Sequence, residues 1–199
     1  MPLNLNSNNG PIDGNDRQYQ DVLQDLQANI LKAHGRDESV HIFLTFPDPR
    51  KEPQKTARLR RLISEIATQY ITSAKKQLDD AVAWRGNRID GGVLVHLSLS
   101  SSGYEKLGFP DSNQPKGANL QERTEADPEQ LNQDYAQVFQ LGMKRRQYAL
   151  IDPPFSSWEQ PYRNDIDALV IIADNNWTNV KNTQLEIIGR QIVFLILFE

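Results

Sequence analysis

The order of strands and helices along this 199-residue chain predicts an α+β fold. Two βαβ units would share one antiparallel-containing sheet, with helices mainly on one face; this is the split βαβ, or ferredoxin-like, arrangement. Two observations predict it. A short apolar run at residues 40–46 is followed by five apolar residues at helical spacing, and then by a period-two strand at 93–100. A second strand–helix–strand series, 168–173, 174–188 and 192–198, closes the chain.

Residues 1–16 are rich in Asn, Gly, Pro and Asp without periodicity, so they read as a flexible lead-in to a single domain over 17–199. Tyr19, Val22, Leu23, Leu26 and Ile30 recur at helical spacing, which predicts a helix running to residues 33–35, where His34 and Gly35 give a stop signal. The strand at 40–46 is bounded by Pro47 and Pro49. Leu59, Leu62, Ile63, Ile66 and Tyr70 then fall at i, i+3, i+4, i+7 and i+11, with Arg58, Arg60, Arg61 and Glu65 on the opposite, solvated face.

Gly91 and Gly92 introduce the strand at 93–100, in which Val93, Val95, Leu97 and Leu99 share one face. Residues 101–107 suit a short helix ended by Gly108, and residues 110–126 read as loop. Asp127, Pro128 and Gln130 give a helix-start signal, and Leu131, Tyr135, Val138 and Phe139 its apolar stripe. Residues 168–173 are apolar on both faces, as a central strand should be. Asp174 to Asn176 can cap a helix to about Ile188, ended by Gly189. Residues 192–198 form a fourth strand, also apolar on both faces. That is a liability at an uncovered sheet edge, so a second copy or further chain is expected to cover it.

Composition narrows the chemistry. Twenty-two basic and 26 acidic residues leave a net charge of −4, which argues against nucleic acid as a partner. With no cysteine, thiolate ligation, a cysteine nucleophile and a disulfide scaffold are excluded; a reducing, cytoplasmic setting is compatible. No stretch approaches the roughly 18 apolar residues of a membrane helix, so no membrane partner is expected.

His34, His41 and His96 lack metal-ligand spacing, and no metal site is expected. There is no nucleophile elbow and no phosphate-binding loop. Asp165, Asp167 and Asp174 flank the third strand and could do acid–base work, but strand and helix-cap roles account for them more simply. Lys144, Arg145 and Arg146 form a short basic run read as solvated. Trp84, Trp158 and Trp177 are scattered and read as packing residues rather than an electron relay.

Four segments, in order, resemble the dye-decolourising (DyP-type) haem peroxidases. LQANILKAHGR at 26–36 leading into HIFLTF at 41–46 is similar to the family's N-terminal opening, with Ala28 in place of a usual Gly. DGG at 90–92 leads into the second strand and SGYEKLG at 102–108. Gly142-Met143-Lys144-Arg145-Arg146 precedes Asp152-Pro153-Pro154 and Trp158-Glu159. Residues 167–174, DALVIIAD, complete the set.

The resemblance covers the N-terminal half of that family and implies two ferredoxin-like domains in the whole enzyme. It implies peroxide-dependent oxidation of dyes or phenols and a haem cofactor held mainly by the C-terminal half. The expected partner is that missing domain or a second subunit; a homo-oligomer is also compatible. The family's distal Asp lies in a G-x-x-D-G motif after the strand corresponding to 192–198. Gly10-Pro11-Ile12-Asp13-Gly14 matches the pattern literally but precedes the whole domain, so turn chemistry explains it. No catalytic, cofactor-binding or metal residue carries over, and the chain alone is expected to be inactive. The alternative is a non-catalytic ferredoxin-like module that dimerises or binds a partner through its last strand and sheet face.

Overall fold

In a computed structural model of the chain, residues 16–109, 139–144 and 150–189 are described. Their order is α1 (Gln20–Asp25), β1 (Glu38–Leu44), α2 (Pro53–Gln69), α3 (Ala74–Asn87), β2 (Leu94–Leu99), α4 (Ser101–Lys106), β3 (Ala168–Asp174) and α5 (Trp177–Gly189), with 3-10 turns at Arg17–Tyr19, Phe155–Ser157 and Gln160–Arg163. The expected lead-in except Asp16, most of the helix expected from Asp127 and the strand expected at 192–198 lie outside the described residues.

The sheet has the order β1-β3-β2, and β3 is antiparallel to both neighbours. β1 and β2 therefore run parallel with β3 inserted between them, which is the split of a split βαβ unit. The β3 sequence, apolar at every position from Ala168 to Ala173, earns its central place: Ala168, Val170, Ile172 and Ala173 are all buried.

Alternation sorts the side chains. Ile42, Val170 and Leu97 form one row across the sheet, and Val40, Ile172 and Val95 the next, all on the inner face. That face packs on Leu59, Leu62 and Ile66 of α2 and on Val180 and Ile187 of α5, forming one contiguous core. The helical stripe read from the sequence is thus the stripe that is buried, and Pro53 sits at the helix start, where its missing N–H costs nothing.

The two edges of the sheet differ. Ser100 N–H donates to the Asp167 carbonyl at 3.0 Å, which fixes the hydrogen-bonding phase of the β2–β3 ladder. Even-numbered residues of β2 therefore face β3, and Val95 and Leu97 turn their backbone groups outward. Both find partners. Thr72 N–H donates to Val95 O at 3.0 Å, and Thr72 Oγ1 accepts from Val95 N at 3.1 Å. The Gln27 carboxamide donates to Leu97 O at 3.1 Å and accepts from Leu97 N at 3.0 Å, acting as a peptide unit would. By the same phase, β1 turns Ser39, His41 and Phe43 outward, and no described residue bonds their backbone groups.

Two expectations need correction. The first helix does not run to residues 33–35; α1 stops at Asp25 and Leu26 is extended, with ψ 136. Residues 26–28 are held as a strand-like segment by Ser73: Ala74 N–H donates to Leu26 O at 2.7 Å and Ala28 N–H to Thr72 O at 2.8 Å. Tertiary hydrogen bonds override a helical apolar spacing there. Conversely, α3 was not expected. Its buried residues are Ala74 and Gln77, too few and too polar to show a stripe. Its signal is at the ends, where Ser73 Oγ accepts from Lys76 N at 3.1 Å and Arg88 closes the helix in the left-handed region at φ 57.

Candidate functional site

The three carboxylates around β3 do three different jobs. Asp167 is fully buried where the chain enters the strand. Its Oδ2 accepts from Lys106 Nζ at 2.8 Å and Phe46 N at 2.6 Å, and its Oδ1 accepts from Ser102 Oγ at 2.6 Å. Its carbonyl takes the Ser100 N–H, and Gly103 lies so close that a Cβ there would stand 2.1 Å from that oxygen. A buried carboxylate saturated by a cation, a hydroxyl and a peptide N–H is a structural tie. Asp174, at the other end of β3, accepts from Asn176 N at 2.7 Å and Asn179 Nδ2 at 3.4 Å and so starts α5, as expected. Asp165 is exposed and pairs with Lys144 at 3.1 Å. Asp167 and Asp174 sit a strand length apart, about 23 Å, so these two do not form a paired-carboxylate acid–base site.

Lys144 is not a solvated cation. Its Nζ donates to the carbonyls of Arg163, at 2.9 Å, and Asn164, and lies 5.8 Å from the Phe155 ring centroid. It fastens the turn before β3. Arg145 and Arg146, and likewise Asp13, lie outside the described residues.

His41 and His96 stand in one row on the outer sheet face with Ile171 between them. His96 spends both ring nitrogens: Nδ1 meets Ala28 O at 2.9 Å and Nε2 meets Ser98 Oγ at 2.9 Å. His34 lies in the loop before β1, where Nδ1 accepts from Arg36 N at 3.0 Å. Partial burial, then the charges of Arg36 and His41, hold its pKa below the ordinary histidine value. No group of three metal-ligating side chains exists among the described residues.

Haem ligation needs an imidazole nitrogen facing an apolar slot. The described histidines do not fit. His96 is fully engaged, His34 is tied into a turn, and His41 stands exposed on the outer strand of the described sheet.

The tryptophans stay dispersed. Trp84, on α3, lies under the Arg88 guanidinium, 5.6 Å from the ring centroid. Trp158 Nε1 donates to Pro153 O at 2.9 Å, and its ring meets Phe155 at 5.5 Å. Trp177 begins α5.

One cavity among the described residues has little sign in the sequence. A groove of about 560 Å³ runs between β1 and α5, lined by Ser39, His41, Phe43, Tyr162, Lys181 and Gln184 among others. The Tyr162 ring meets Phe43 edge-on at 5.6 Å. Gln184 is buried, and its Oε1 accepts no hydrogen bond from a described residue. The one available signal was a glutamine in the stripe Val180, Gln184, Ile187, a polar residue at a core position.

No protein-family model matches the chain. A curated relative, the multifunctional dye peroxidase DyP2 of Amycolatopsis sp., is 28% identical over 153 residues, covering 77% of this chain and 26% of the relative. Among solved structures, the DyP-type peroxidase of Anabaena sp. superposes with a TM-score of 0.70 at 33% identity, covering 90% of this chain and 34% of that one. The structure of DyP2 from Amycolatopsis sp. gives 0.61 at 26% identity, covering 87% and 31%. An ancestral D-type dye-decolourising peroxidase, at 18% identity and TM-score 0.63, covers 84% and 30% and shares the fold. The chain spans between a quarter and about a third of these proteins. In sequence and in fold, it is therefore similar over most of its own length to one part of a DyP-type peroxidase.

Proposed function

We propose that this chain is the N-terminal half of a DyP-type haem peroxidase, an oxidoreductase whose haem is ligated by the C-terminal half. The observation that carries the reading is the Anabaena superposition, which takes in 90% of this chain and only 34% of the peroxidase. The whole enzyme would use hydrogen peroxide to oxidise dyes or phenolic compounds, and that chemistry belongs to the cofactor. The histidine geometry supports placing the ligands elsewhere. The outer sheet face supports a docked partner domain: Phe43, Leu169 and Ile171 are only partly buried there, beside His41 and His96. This chain contributes the rigid sheet against which that domain rests. No described helix is long and apolar enough to cross a membrane, and the cysteine-free sequence suits a reducing cytoplasm.

The test is a haemin titration of the purified chain followed by visible absorption and a peroxide-dependent dye assay. No stoichiometric Soret band and no turnover are expected. A stoichiometric band with turnover would overturn the reading and make His34 or His41 the axial candidate. One second reading is favoured by the lack of a fitting imidazole: a non-catalytic partner-binding module on the same fold. The coding sequence beyond Glu199 separates the two, because a peroxidase must continue into a G-x-x-D-G motif and later His and Arg residues.

A further inference from the structure

His34 and His96 use their rings in opposite ways. A peptide N–H can only donate, so His34 Nδ1, which takes the Arg36 N–H at 3.0 Å, carries no proton. A carbonyl can only accept, so His96 Nδ1 carries the proton that it gives to Ala28 O at 2.9 Å. A second proton on His96, at Nε2, would still find the Ser98 hydroxyl 2.9 Å away. Charging His96 therefore costs no hydrogen bond, whereas charging His34 turns an acceptor into a donor that faces a donor.

The bond at stake holds an arginine in place. Gly35, at φ 62, folds residues 34–36 back on themselves. The Arg36 side chain, only 11% exposed, then reaches in three directions. Nη1 donates to His34 O at 3.1 Å, and Nε and Nη2 donate to Gly92 O at 3.3 and 3.2 Å. Nη2 also lies 3.6 Å from Asp80 Oδ2 on α3. One guanidinium thus ties the loop before β1 to α3 and to the turn that feeds β2. Asp80 also pairs with Lys76 at 2.8 Å, so its one negative charge already answers two cations. Lys76 Nζ holds Gly91 O at 2.9 Å as well. The groups that act on the His34 ring are Arg36 in its own turn and His41 on β1, and both oppose a positive charge there. On α3, Asp80 and Lys76 meet Arg36 and each other. In the turn before β2, the Asp90 carboxylate accepts from Gly92 N at 2.8 Å and Asn175 Nδ2 at 2.9 Å.

We propose that residues 34–36 form an acid-opened latch: a proton on His34 Nδ1 breaks the bond from the Arg36 N–H, the turn opens, and Arg36 leaves Gly92, freeing residues 90–92 while the sheet stays folded. The opening is local because the neighbouring segments have their own ties. β2 is laddered to β3 from Leu94 to Leu99, and Leu26 and Ala28 are bonded to Ala74 and Thr72. Partial burial, with the charges of Arg36 and His41, keeps His34 neutral to a lower pH than an ordinary histidine. The latch is therefore shut at neutral pH and opens as pH falls below the ordinary value of 6.5.

The test is amide hydrogen exchange of the full-length chain at pH 7.5 and 5.0, each corrected for the intrinsic exchange rate at that pH. Protection of the Arg36 and Gly92 amides should fall at least 10-fold relative to the β3 amides at the lower pH. Unchanged protection at Arg36 and Gly92 would overturn the proposal. So would a fall shared equally by β3, which would mean general unfolding. His34→Gln, which cannot titrate at residue 34, should remove the pH dependence, and His41→Gln should keep it. A pH dependence that survives His34→Gln would overturn His34 as the trigger. Arg36→Lys keeps the charge but loses the fork, and should leave Gly92 poorly protected at both pH values. Independently of any variant, the His34 ring resonances of the unsubstituted chain should titrate with the same midpoint as the loss of Arg36 protection. Separate midpoints would overturn the latch.

Discussion

At the scale of single residues, Asp167 is the most consequential side chain described. Its carboxylate joins three segments: Phe46 beyond β1, Ser102 and Lys106 on α4, and the start of β3 itself. Removing one partner of a buried ion pair leaves an uncompensated charge, at a cost of about 3–5 kcal/mol. Asp167→Ala is expected to lose about that much in a urea unfolding experiment. Asp165→Ala, at an exposed pair, should lose less than about 1 kcal/mol. His34 gives a pH-dependent prediction. Its folded pKa lies below the unfolded value of 6.5, so the neutral ring favours the fold. That contribution is fully present above about pH 6.5 and is lost as pH falls through the lower folded value. The midpoint of urea unfolding should drop between pH 7.5 and 5.0, and His34→Gln should flatten the drop. Asp90, whose carboxylate accepts from Asn175 and the Gly92 N–H, is likewise held below 3.8 and acts in a separate, more acidic window.

At the scale of elements, caps and close approaches carry the testable content. Ser73→Ala removes the acceptor of Lys76 N and should weaken α3 by about 1 kcal/mol, seen as lost amide protection in its first turn. Gly103→Ala drives a methyl into the Asp167 carbonyl and displaces α4 from β3. It should be far more damaging than Gly86→Ala, which meets nothing. These elements also show what sequence reasoning can reach. β1, α2, β2, α4, β3 and α5 were all readable, because each has either a period or an end signal that local physics enforces. Two features were not. The helix spacing of Leu26 and Ile30 was overruled by hydrogen bonds with Thr72 and Ala74, partners more than 40 residues away. α3 hides because it buries Ala74 and Gln77 instead of large apolar residues. The candidate site was less readable than the fold. Asp165, Asp167 and Asp174 look alike in sequence, and only burial and partners separate a surface pair, a buried tie and a helix cap.

At the scale of the whole molecule, the core joins one sheet face to two helices, and its centre is the row Val40, Ile172, Val95. Ile172 is fully buried, and Ile172→Ala should cost about 2–5 kcal/mol, checked by a fall in the unfolding midpoint with unchanged slope. A constant slope would show that the loss is in packing rather than in the extent of folded chain.

Gln27, finally, closes one route by which strands could add to this sheet. A glutamine side chain satisfies one strand's outward N–H and C=O yet offers no further main-chain row to a newcomer. It is a terminator on a ribbon that could otherwise lengthen from that side. On the β2 side strand addition is blocked among the described residues, because Thr72 and Gln27 already hold the outward groups of Val95 and Leu97. Replacing Gln27 with a short apolar residue would free only the Leu97 N–H and C=O, and light scattering should show more self-association than in the unsubstituted chain.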